Sequence, residues 1–107
     1  MSDESPKLSP AAERERAIAL LEATHKFPVV YELSVISFSA PDIFIAVRVA
    51  AGLSDVVPND DDENHQMLPS RGGKYTSHRL KVACETADHV LELYARLRSV
   101  TGVVTLL

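Results

Sequence analysis

The chain has 107 residues, 46% of them hydrophobic and 24% charged, with a net charge of −4 and a single cysteine. That suffices for one domain with one core of ordinary globular composition; it excludes an internal disulfide, and no apolar run is long enough for a bilayer-spanning helix. Residues 1–63 carry −7 and residues 64–107 carry +3, so the overall sign argues against a nucleic-acid partner and leaves room for a small anionic metabolite or an acidic protein surface at the basic half.

Residues 1–8 are polar and acidic, with no signal-peptide apolar stretch, so they are expected to be disordered in a cytoplasmic, non-membrane protein. Ser9-Pro10 pairs an N-cap residue with a favoured first helical residue. Ala17, Ile18, Leu20 and Leu21 then form a broad apolar stripe, predicting a helix over about 10–24 within an N-terminal extension of residues 9–26. Its expected place is beside the domain or against a second subunit, as in a homodimer.

Phe27-Pro28 ends that helix. Val29 to Ser37 reads as a strand with Tyr31, Leu33 and Val35 on one face and Glu32 and Ser34 on the other. Residues 41–52 have strand-favouring composition. Their Pro41-Asp42 start, their helical spacing of Ile43, Val47 and Ala50, and the trailing Gly52 predict a helix instead. Residues 54–66 form an acidic loop. Its carboxylates lack the spacing, central glycine and distal glutamate of a calcium loop, so no metal is expected and a solvated, mobile loop is.

The hairpin from Met67 to Cys84 organises the rest. Gly72-Gly73 supplies the positive φ angles of a tight turn, and Pro69 suits an edge strand. In the second arm Leu80, Val82 and Cys84 share the core face, while Tyr75, Ser77, Arg79 and Lys81 share the other. Glu32 is positioned to pair with Arg79 or Lys81 across the sheet. Thr86 then caps a helix with Ala87, Val90, Leu91, Tyr94 and Leu97 on one face, and Val103 to Leu107 closes the chain as a strand.

A helix followed by a βαββαβ pattern predicts an α+β chain. The expected solution is a ferredoxin-like domain over 27–107, with a four-stranded antiparallel sheet and two helices on one face. Right-handed crossovers put the first and third strands in the centre. The residues also resemble the YbeD-like family of small bacterial proteins of unknown function. The resemblance begins at Phe27-Pro28 and is strongest at Pro69-Ser70 and Gly73-Lys74-Tyr75-Thr76-Ser77. It continues through Val90, Leu93-Tyr94 and Leu97 to Val103–Leu107. It implies a ferredoxin-like fold similar to ACT-type regulatory domains, which commonly dimerise and hold small ligands between subunits, and it supplies no catalytic residues. The chain departs from that family in a longer N-terminal extension, a longer acidic loop, and His78 at a position that tends to be aliphatic.

Arg71, Gly72, Gly73 and Lys74 can hold a phosphate or carboxylate through backbone amides and two cations, although they are not a P-loop. With Tyr75, Ser77, Arg79 and Lys81 they are the candidate binding or interaction residues; the bland alternative is a solvated turn beside ordinary cross-strand charge pairs. His25, His65, His78 and His89 lack metal-ligand spacing and are read as surface residues, with His78 partly buried. Cys84 reads as a small core residue. No catalytic pair, triad or cofactor motif emerges. The expectation is a non-enzymatic regulatory module binding a small anionic metabolite near the hairpin; the alternative is a protein-interaction adaptor.

Overall fold

The computed structural model describes residues 9–56 and 61–107; the expected disorder of residues 1–8 and part of the acidic loop lie outside the described residues. Helix α1 spans Pro10–Thr24, and Ser9 Oγ accepts the Ala12 N–H at 3.1 Å. Thus a hydroxyl satisfies one of the open donors at the helix start. None of its residues is fully buried. The helix leans on α3 through an exposed Arg14–Asp88 ion pair, and at its C-terminal end the His25 ring meets the edge of Tyr31.

Strand β1 (Val29–Phe38), helix α2 (Pro41–Ala50), strands β2 (His65–Pro69) and β3 (Tyr75–Cys84), helix α3 (Ala87–Arg98) and strand β4 (Val103–Leu106) follow. The segment after Pro41 is helical despite its β-branched residues. Pro41 fixes the first turn, Asp42 sits at the positive end, and Gly52 leaves the helix at φ 83°. Tertiary burial of Val47 and Ala51 against the sheet overrides propensity here.

The four strands form one antiparallel sheet in the order β2-β3-β1-β4, so the first and third strands are central and β2 and β4 are edges. Leu33, Val35, Leu80, Val82 and Cys84 join Val47 of α2 and Val90, Leu93 and Leu97 of α3 in the core. In α3 it is Leu93 that is wholly buried, whereas Leu91 and Tyr94, expected on the core stripe, are half-buried. Among the described residues no helix covers the opposite face of the sheet. There Glu32 stands opposite Lys81, Ser34 opposite Arg79, and Phe38 opposite Tyr75.

Two tight places fix the ends of this frame. Gly72 and Gly73 turn the hairpin at φ 87° and 77°, values that cost a side chain strain. Gly102, at φ 97°, lets the chain pass so close to α2 that a Cβ there would lie 2.5 Å from Ile43 Cδ1.

Candidate functional site

A line of polar side chains crosses the core beneath β2. Arg48 projects from α2 and is 4% exposed. Its Nε–H donates to the Ser54 carbonyl at 2.9 Å and its Nη2–H to Ser54 Oγ at 3.0 Å. Its Nη1 donates to Asp62 Oδ2 and, at 3.3 Å, faces His65 Nδ1. A guanidinium has donors only, so His65 Nδ1 accepts and its proton sits on Nε2. That proton reaches His78 Nδ1 at 2.7 Å. His78 in turn donates from Nε2 to Ser37 Oγ at 2.8 Å, and the Ser37 hydroxyl donates to the Phe38 carbonyl at 3.0 Å. Every direction in the chain follows from its two ends, a cation and a carbonyl.

His65, His78 and Ser37 are sealed from solvent. The two imidazoles are 4.9 Å apart between centroids, and the edge of Phe44 closes over His78 at 5.3 Å. Burial holds both rings neutral, depressing each pKa from 6.5 to about 4. Arg48 adds to the effect at His65, and His65 adds to it at His78. The Arg48 hydrogen bond likewise holds the Asp62 carboxyl below its ordinary range.

These contacts correct two expectations. His65, expected at the surface, belongs to the interior, and His78, expected partly buried, is wholly so, because β2 and β3 bring their core-facing positions side by side. Asp62, expected in a solvated loop, is half-buried and paired with Arg48. The Ser37–His78 contact does not form a nucleophile and base: His78 gives its proton to Ser37, the reverse of what activates a hydroxyl. Cys84 is buried as expected, and desolvation raises its thiol pKa, away from the reactive range.

A cleft of about 830 Å³ runs beside this line, around β2 and the hairpin turn. Its volume lies within the range of roughly 300–1,000 Å³ typical of small-molecule sites. Of its lining residues Leu68 shares the open face of the sheet with Ser34, Ser77 and Arg79, which place two hydroxyls and a cation there, whereas Phe44 and Met67 line it on the helix-bearing face, around the edge strand. Arg79 stands between Ser34 of β1 and Gln66 of β2. Among the described residues it enters neither of the two ion pairs.

Of the residues singled out from sequence, Gly73, Ser77 and Arg79 line the cleft. Arg71 and Gly72 stand exposed at the hairpin turn. Lys74 lies over the Tyr75 ring at 5.4 Å, and Tyr75 packs on Phe38 at 5.2 Å. Lys81 is half-buried opposite Glu32. Ser34, Phe44 and His65 were missed as cleft residues. The Gly72-Gly73 turn carried a usable signal: once Met67 is set opposite His78, His65 must share the His78 face.

Among the described residues no group of three or more His, Cys, Asp or Glu is placed to hold a metal ion. No helix among them is long and apolar enough to cross a membrane. A family model described as a protein of unknown function (DUF493) matches residues 22–107. The chain is 33% identical over 80 residues to a UPF0250 protein from Hahella chejuensis, across 73% of this chain and 84% of that protein. No solved structure matches.

Proposed function

The chain belongs to the DUF493 family, the YbeD family of small bacterial proteins of unknown function, and we propose that it is a non-enzymatic, ACT-like regulatory module that binds a small anionic metabolite. The observation that carries this reading is the cleft, which sets the Arg79 guanidinium beside Ser34 and Ser77 with the exposed Leu68 on the same face. An ion of carboxylate or phosphate type suits that set, because a guanidinium fork and hydroxyls both donate to anionic oxygens. Gly73, in the hairpin turn, adds close backbone approach. The central placement of β1 and β3 supports the ferredoxin-like frame on which ACT-like modules are built. A cytoplasmic role close to metabolism fits the proposal.

A thermal-shift screen against amino acids, nucleotides, short carboxylic acids and phosphorylated metabolites tests it. A ligand at about one hundred times its dissociation constant stabilises by roughly 2.7 kcal/mol, a rise on the order of 10 °C for a domain this small. Silence across the panel would overturn the reading.

The open sheet face favours a second reading, a protein-interaction adaptor. Leu68 is 71% and Phe38 43% exposed there, on the face that also carries Arg79 and Lys81. A pull-down from the native host that recovers a stoichiometric partner, lost on Leu68→Ser, would support it; recovery of none would count against it.

A further inference from the structure

We propose that the Arg48–His65–His78–Ser37 chain is a proton-sensitive latch that holds edge strand β2 and residues 62–64 before it on the sheet, and that one added proton releases both. The proposal stands apart from the cleft reading and needs no ligand.

Strand β2 is weakly held. It has five residues and a ladder to β3 alone. His65 is its one fully buried side chain; Gln66, Leu68 and Pro69 are exposed and Met67 is half-buried. Residues 62–64 just before it are tied by Asp62 to Arg48, by the Asn64 N–H to Asp62 Oδ1 at 2.9 Å, and by the Asn64 carbonyl, which accepts the Lys81 N–H at 3.0 Å. The His65 ring is therefore the anchor of the strand.

That anchor has no room for another proton. On His65 Nδ1 it would face the Arg48 Nη1 donor, and on His78 Nδ1 it would face the His65 Nε2–H across 2.7 Å. The groups facing the pair are Arg48 from α2, Asp62 from the loop and Ser37 from β1, with Phe44 closing the side. Ser37 already accepts from His78 Nε2–H, and Asp62 is engaged by Arg48 and the Asn64 amide. Arg79 and Lys81 of β3 lie on the other face of the sheet. A cationic ring is thus left beside a buried cation. His78 is fixed in a central strand, so relief comes from His65 swinging outward with the edge strand. Burial keeps the closed rings neutral down to about pH 4, whereas an exposed imidazole charges near pH 6.5. Between those values, acid favours the open form.

Amide hydrogen exchange on the ligand-free full chain, expressed as protection factors at pH 7 and pH 5, tests this. The Lys81 amide reports the latch. The Phe38 and Leu107 amides, bonded to the Gly102 and Ser34 carbonyls, report the rest of the sheet. We expect Lys81 protection to fall about twentyfold for each histidine freed and to lie below that of Phe38 at both pH values, because the edge strand opens without the whole sheet. The double variant His65→Leu/His78→Leu, which replaces both partners by apolar groups, should make Lys81 protection independent of pH. Unchanged Lys81 protection in the wild type, Lys81 protection equal to that of Phe38 at both pH values, or the same pH response in the double variant would each overturn the proposal. Should the double variant fail to fold, ring nitrogen shifts of the wild type decide. Histidine charging together with Lys81 exposure supports the latch, and charging with Lys81 still protected refutes it.

Discussion

Replacing Arg48 with methionine removes the cation on which the buried line depends while keeping the aliphatic volume that packs against the sheet. Removing one member of a buried ion pair costs on the order of 3–5 kcal/mol, because the partner is left charged and dry. Here the figure belongs at the lower end. The Asp62 side chain is 20% exposed and recovers part of its hydration, and Ser54 is exposed and can turn to water. His65 Nδ1 has no such outlet, and an unfilled buried acceptor costs roughly 1–3 kcal/mol. The expected loss is about 3 kcal/mol, against the 5–15 kcal/mol typical of a whole domain. Urea denaturation followed by circular dichroism at pH 7 measures it directly. The companion variant Arg48→Met/Asp62→Leu should recover about 1–2 kcal/mol, since no carboxylate is then left unpaired. A loss below about 1 kcal/mol in the single variant, or no recovery in the double, would refute the view that the guanidinium is held in a tight, dry network.

Overall stability should also fall with acid. The folded state resists protonating His65 and His78, while the unfolded chain accepts protons from about pH 6.5 downward. Their contribution is therefore complete above that value and is lost as pH falls toward 4. For each ring moved from 6.5 to about 4 the loss is about 3 kcal/mol, and urea midpoints at pH 7 and 4.5 that coincide would contradict it. Gly102→Ala should destabilise by about 1–2 kcal/mol, from the positive φ and the push on Ile43. A thermal midpoint within a degree of the wild type would show that this corner has slack.

The secondary structure was legible because the signals at element ends were strong, even after Pro41 where composition pointed to a strand. Ser9-Pro10, Pro41-Asp42 and Thr86 each start a helix at the expected place, Gly72-Gly73 turns the hairpin, and alternation in β3 separates Leu80, Val82 and Cys84 from Arg79 and Lys81. The buried line was not legible, since its members come from four separate elements. Arg48 sits within an apolar helical run, and nothing local shows that it turns inward toward Asp62, fourteen residues on. His65 sits at the start of a strand whose core-facing positions are known only once the register is set. The cleft was half-legible: the hairpin pointed to Gly73, Ser77 and Arg79, whereas Ser34 and Phe44 reach the same hollow from β1 and α2.

The measurement closest to the functional claim is a titration of the isotopically labelled chain with small carboxylates and phosphates, read at each backbone amide. We expect at least one compound to shift Gly73, Ser77 and Arg79 together in a saturable way, and Arg79→Gln to weaken that binding by about tenfold or more, the cost of losing one charge-assisted contact. Absence of saturable shifts at these residues for every compound, or binding unchanged in Arg79→Gln, would contradict a small-anion site in the cleft.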